Sequence, residues 1–268
     1  GSPIDLTILN TVRVDAVVHY SQAGMEGGHA LCDLLSSKAN FSGKLTATWA
    51  KEYEDYPSSM TYSHLNHQLE EEDYFEGIFV GYRHFSTFQV KPRFPFGYGL
   101  SYSQFKTKYL GSFLANDVIK IQVKVTNISG MAGKEVIQVY LTKPGKNVEA
   151  KSLVAFGKTA VLAKGQDQDV SLSFELSALE IFDEENSCYM IRKGRYGVSV
   201  GQHVENATFV SVIEVKDDII TRYVKRSPMI MTSFEDKTSQ GNRVDYDENL
   251  PIILVDTFKR IVPTSRNV

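Results

Sequence analysis

From about residue 106 the sequence alternates apolar and polar residues again and again, and this limits the possible folds more than any other feature. In VIKIQVKV (118–125), Ile119, Ile121, Val123 and Val125 alternate with Lys120, Gln122 and Lys124. In VSLSFEL (170–176), Val170, Leu172, Phe174 and Leu176 alternate with Ser171, Ser173 and Glu175. A period of two puts one set of side chains on one face of an extended strand. VIQVYL (136–141), RYGVSV (195–200) and FVSVIEV (209–215) read as further strands. Turn residues separate them at 127–133, 143–147, 164–167 and 201–207. About seven strands over about 110 residues predict a two-sheet β-sandwich of the immunoglobulin or fibronectin type III kind.

The first hundred residues follow a different pattern. Residues 14–20 are nearly all apolar, which predicts a strand buried on both faces, as in a parallel sheet. Gly24, Gly27 and Gly28 make a turn, and residues 29–37 place Ala30, Leu31, Leu34 and Leu35 on one helical stripe. In 43–50, Leu45, Ala47 and Trp49 alternate with Thr46 and Thr48, a second strand. Strand, helix and strand compose the closing unit of an α/β layer. Such a unit cannot cover its own apolar faces, so the expectation is a fragment that begins inside a domain. Residues 58–72 are polar and read as an exposed segment or short helix.

Two aromatic- and glycine-dense stretches lie between these regions, DYFEGIFVGYRHF (73–85) and FPFGYGLSYSQF (94–105). Gly77, Gly81, Gly97 and Gly99 allow sharp bends while large rings fill the space around them. The rings could line a sugar-binding cleft or form an apolar seam joining two domains. Their position at the boundary favours the seam, with Phe79, Tyr82, Phe85, Phe94, Phe96 and Tyr98 largely buried.

Chemistry-bearing motifs are few. The net charge of −3 argues against nucleic acid, which selects a basic surface. No apolar run approaches the ~20 residues of a membrane helix. Gly24, Gly27 and Gly28 match neither the dinucleotide fingerprint nor the P-loop, and read as a tight turn. His64 and His67, with Glu70 to Glu72 nearby, could supply metal ligands, but a solvated polar segment is the simpler reading. Gly99-Leu100-Ser101 is not a nucleophile elbow. Glu26, Asp33, Glu52, Asp55 and Glu76 are candidate carboxylates, yet sequence alone cannot pair two of them across a glycosidic bond. No cofactor or metal is expected. Cys32 and Cys188 lack metal spacing and read as reduced thiols, which favours the cytoplasm over an oxidising compartment. The sequons at Asn40, Asn127 and Asn206 carry no weight in a chain of this size.

AGMEGGHALCDLL, SGKLTATWAKEYEDYP, YFEGIFVGYRHF and FPFGYGLSYSQF, in that order, resemble the end of the α/β-sandwich domain of family 3 glycoside hydrolases. AGKEVIQVYL (132–141), KSLVAFGKTAVLAKGQ (151–166) and GRYGVSVG (194–201) are similar to the fibronectin type III-like domain that follows it. The resemblance spans about residues 1–215. It implies a retaining β-glucosidase whose nucleophilic aspartate sits on a barrel and whose acid/base glutamate sits on an α/β-sandwich loop. Both positions lie outside this chain, so the resemblance transfers no catalytic residue, and Glu26 and Glu76 inherit no role. Phe41 stands where the family usually has proline. Ordinary members end soon after the sandwich, whereas a permuted subset continues into the barrel, and residues 219–268 fit either a connector or a simple extension.

The expected organisation is an incomplete α/β domain over 1–105, a fibronectin type III-like sandwich over 106–217, and a linker or partly disordered extension over 218–268. The expected function is the non-catalytic structural portion of a β-glycosidase, inactive alone. Its partners would be the missing barrel and the rest of the α/β sandwich, with a β-glucoside substrate in the intact enzyme and possible self-association of the fragment. The alternative is a carbohydrate-binding or protein-interaction module without enzymatic activity.

Overall fold

The computed structural model describes residues 3–64, 70, 72, 74–224, 237–242 and 247–255. Its alternating runs are strands. Strand β1 (Phe105–Ala115) pairs with β2 (Val118–Asn127), and β2 pairs with β5 (Asp167–Glu175), all antiparallel. The β1–β2 hairpin closes through Asn116 and Asp117, with φ of +51° and +62°. Two successive left-handed residues suit the two-residue hairpin turn, and Asn and Asp tolerate that conformation. The facing sheet contains β3 (Val136–Thr142), β4 (Ser152–Lys158), β8 (Gly194–Gly201) and β9 (Thr208–Val215), in the order β9-β8-β3-β4. A small third sheet joins β6 (Ile181–Asp183), β7 (Cys188–Ile191) and β10 (Ile219–Tyr223).

The core lies where the period-two pattern requires it. Ile119, Ile121, Val123 and Val125 of β2 are fully buried and face Val139, Leu141, Val198 and Ile213 in one cluster. Leu172 and Phe174 of β5 join them, while Ser171, Ser173 and Glu175 point outward. Each such aliphatic side chain contributes about 1.5–3 kcal/mol on burial.

The C-terminal segment binds the sandwich more closely than its composition indicates. Strand β11 (Ile252–Val255) pairs in parallel with β9, from Ile252 opposite Val212 to Val255 opposite Val215. Ile253 and Val255 point into the core, while Ile252 and Leu254 are 48% and 56% exposed. Residues 237–242 form a strap. The Lys237 amide donates to the Phe75 carbonyl (2.7 Å), and the Asn242 side chain donates to the Glu149 carbonyl (2.8 Å). Ser239 and Asn147 exchange hydrogen bonds. Residues 233–236 and 243–246 of the polar stretch, and residues 256–263 of the apolar one, lie outside the described residues.

The α/β expectation is met only in part. Helix α1 (Gly27–Leu35) forms close to the predicted place, and Gly27 allows the turn because a Cβ there would overlap the Tyr20 hydroxyl. Neither expected strand forms. Residues 14–20 pair with no strand among the described residues, and Val14, Val17, Val18 and Tyr20 stay between 43% and 53% exposed. The apolar pattern is present, but among the described residues no neighbouring strand accepts its hydrogen bonds. Residues 43–50 form no continuous strand: they lie beside 94–98 and make an isolated bridge, Trp49 to Phe94.

The alternation in β11 gives a paired test. Val255→Asp places an unpartnered charge in the core and should lower unfolding free energy by about 3 kcal/mol or more. Leu254→Asp should stay within about 0.5 kcal/mol. Urea unfolding followed by circular dichroism measures both, and equal effects would mean that β11 does not dock in this register.

Candidate functional site

The aromatic stretches wrap the N-terminal part onto the β3 side of the sandwich. Residues 45–49 and 94–98 run side by side, with Leu45 N–H to Tyr98 O (2.8 Å), Gly97 N–H to Leu45 O (2.8 Å) and Trp49 N–H to Phe94 O (2.9 Å). Helix α2 (Tyr82–Thr87) starts at Gly81, whose φ of +55° and ψ of −133° suit glycine alone. Phe79 and Phe85 are buried, whereas Tyr82, Phe94, Phe96 and Tyr98 are only half-buried because the joint covers them on one side. Tyr82 stacks on Phe96 (4.6 Å between centroids) and meets Tyr140 of β3 edge-on. Its hydroxyl accepts from the Leu153 amide of β4 at 2.9 Å.

Polar groups fix the same joint. The buried Gln138 side chain of β3 donates to Gly97 O (3.2 Å) and Gln202 O (2.6 Å), and accepts from the Tyr140 hydroxyl (2.6 Å). Gly97 has φ of +81°, and any Cβ there would overlap the Gln138 carboxamide. Lys44 forms a buried ion pair with Glu135 (3.0 Å) and also donates to Gly99 O (3.2 Å). The other Glu135 oxygen accepts from Gln202 (2.6 Å), so neither charge is left without partners. Asn40 donates to Ser103 Oγ (2.7 Å) and Ala132 O (3.1 Å) and accepts from Ser101 Oγ and the Tyr102 amide. Ser101 therefore acts in this clamp.

Beside the seam opens a cleft of about 490 Å³. Phe85, Pro92 and Pro95 form apolar wall, while Gln89, Lys151 and Glu205 add polar groups. Lys151 is held by Val204 O (2.7 Å) and Ala207 O (3.2 Å), and burial pulls its pKa below the usual lysine value while Glu205 opposes that shift.

A second polar cluster lies where the strap meets α2. The Lys237 ammonium sits 3.3 Å from His84 Nδ1 and 4.4 Å from the centre of the Phe88 ring. Burial, helped by the Lys237 charge, pushes the His84 pKa down to about 4, so the ring is neutral at pH 7 and accepts from the lysine. Glu76 is buried nearby, with Oε2 unpartnered.

Apart from Glu76, the candidate carboxylates are taken up locally. Glu26 pairs with His29 on the surface (2.6 Å), Asp33 lies near Lys38 (3.8 Å), and Glu52 and Asp55 cap one short turn. His67 lies outside the described residues, and so does Glu71, one of the acidic neighbours. Among the described residues no group of three or more His, Cys, Asp or Glu side chains could hold a metal. Cys32 is exposed and Cys188 is buried, and the two are not bonded. No described helix is long and apolar enough to cross a membrane.

Comparison with known proteins matches residues 1–102 to the glycosyl hydrolase family 3 C-terminal domain and residues 135–204 to a fibronectin type III-like domain. A β-glucosidase of Ruminococcus albus is 33% identical over 270 residues, covering 97% of this chain and 28% of that protein. β-Glucosidase A of Butyrivibrio fibrisolvens is 31% identical, covering 95% and 33%. Alignments this extensive include most of the C-terminal segment. Among solved structures, β-glucosidase 3B from Thermotoga neapolitana in complex with α-D-glucose superposes with a TM-score of 0.75 at 33% identity, over 82% of this chain and 30% of that one. The chain thus spans about a third or less of the length of these relatives. It carries the C-terminal domain of family 3 glycosyl hydrolases together with a fibronectin type III-like domain.

Two measurements probe the joint. Gly97→Ala combines a strained φ with overlap on Gln138, and should destabilise by about 2 kcal/mol or more in urea unfolding. A change below about 0.5 kcal/mol would show that the joint yields there at little cost. His84 gives a pH signature. Its unfolded form takes up a proton near 6.5 and its folded form near 4, so stability present above 6.5 is lost as pH falls through that window. The loss should be on the order of 2 kcal/mol, and His84→Gln should flatten that part of the melting-temperature profile. Parallel wild-type and variant profiles would refute the assignment.

Proposed function

We propose that this chain is the non-catalytic, architectural portion of a retaining β-glycosidase that acts on β-linked glucosides in its complete form. The observation that carries this reading is the joint itself. Gln138, Glu135 and Tyr140 of the sandwich side engage Gly97, Lys44 and Tyr82 of the N-terminal part. A module whose buried polar groups are used to fix a neighbouring segment supports a scaffold that sets the angle between two parts of a larger enzyme. Residues 1–105 are the closing part of an α/β-sandwich domain, residues 106–217 the fibronectin type III-like buttress, and residues 218–268 an extension that braces it. The exposed Val14, Val17, Val18 and Tyr20 suit a strand that completes its pairing against the rest of the α/β sandwich.

The chain is assigned no catalytic residue. Retaining hydrolysis needs a nucleophile and an acid/base about 5–5.5 Å apart across the scissile bond, and the resemblance puts both elsewhere in the enzyme. The purified chain should therefore release no detectable nitrophenol from aryl β-glucosides, while activity appears when the barrel and the remaining α/β segment are supplied by co-expression. Turnover by the chain alone would overturn the reading.

A further inference from the structure

We infer that the cleft between α2 and the 204–205 loop is a binding site for a neutral oligosaccharide. This goes beyond the architectural role and does not depend on it. The volume of about 490 Å³ falls within the ~300–1,000 Å³ usual for small-ligand sites. Its walls combine flat apolar groups, Phe85, Pro92 and Pro95, with a carboxamide, an ammonium and a carboxylate from Gln89, Lys151 and Glu205. A pyranose ring has the matching character, with an apolar C–H face and a rim of hydroxyls that both donate and accept. Glu205 disfavours an anion, and two of the three Lys151 donors are already given to main-chain carbonyls. The chemistry fits hydroxyls better than phosphate or carboxylate.

The backbone of the cleft wall is itself unusual. Gln89 follows the C-terminus of α2 with φ of +56°, and the Val90 amide returns to the Phe85 carbonyl (3.0 Å). Glycine is the usual residue at this left-handed position, and any other residue there is strained. The chain bears that strain and gains a carboxamide in the cleft wall. Thr48 also lines the cleft, is 4% exposed, and its hydroxyl has no hydrogen-bond partner. Tyr82, by contrast, is committed to Phe96 and Leu153 and serves the joint.

The test titrates the whole chain with cellobiose and laminaribiose, recording amide chemical shifts by NMR. The expected result is saturable binding with Kd on the order of 1 mM, with shifts concentrated at Ser86, Gln89, Val90 and Glu205. Gln89→Gly relieves the backbone strain while removing the carboxamide. It should keep or raise the melting temperature and weaken binding by about tenfold or more. Glu205→Ala, on the opposite rim, should weaken binding similarly in a folded protein. Absence of saturation up to about fifty times that Kd would overturn the proposal. Shifts that map away from the cleft, or a Gln89→Gly variant that binds as wild type, would overturn it as well.

Discussion

One buried carboxamide orders the joint on which the rest of the arrangement depends. Gln138 is 3% exposed on the face of β3 turned away from Ile137, Val139 and Leu141 of the apolar core. Its position lets β3 reach across to Gly97, and the absence of a side chain at Gly97 lets the second aromatic stretch approach closely enough to be reached. The stacking of Tyr82 on Phe96, the bond from Leu153 to the Tyr82 hydroxyl and the seat of Val204 on Phe96 O then follow from one local fit. Hydrophobic burial supplies most of the free energy of such a contact, but it is non-directional. The Gln138 and Glu135 networks supply the direction, because a buried polar group accepts few alternative placements before losing its partners.

How much of this could be read in the sequence depended on range. The sandwich strands were legible because their pattern is local: Ile119 to Val125 and Leu172 to Phe174 reveal their faces by alternation alone. Strand β1 was harder, since a bulge between Tyr109 and Gly111 breaks the period, and β4 was harder because it is only half-buried. How the tail attaches was not legible. Four residues of β11 carry too short a pattern to be recognised, and parallel pairing with β9 is a long-range event. The apolar run at 14–20 was a correct reading of composition, but strand formation also requires hydrogen-bonding neighbours, and among the described residues it has none.

The joint was legible in outline and opaque in detail. Aromatic and glycine density pointed to 73–105, and position pointed to a seam. The Lys44–Glu135 pair and the Asn40 clamp left no mark in periodicity, because each links residues more than sixty positions apart. Gln138 left none either, because it lies on the face of β3 opposite Ile137, Val139 and Leu141, where a polar residue is expected until the joint covers it. The three sequon asparagines, given no weight as modification sites, prove to be structural: Asn127 is fully buried and bonds Met131 and Leu162 carbonyls, and Asn206 accepts two loop amides. Gln89 left no signal at all, since a left-handed glutamine shows only in the folded backbone.

The parallel pairing of β11 also sets an order of events in time. Forty residues separate Val212 from its partner Ile252. At about 5–20 residues per second on a ribosome, the outer flank of β9 stays bare for about 2–8 s after it has emerged. During that interval a nascent chain presents an open ladder to any neighbour on the same polysome. The late arrival of β11 therefore closes a window of vulnerability that the sandwich cannot close by itself.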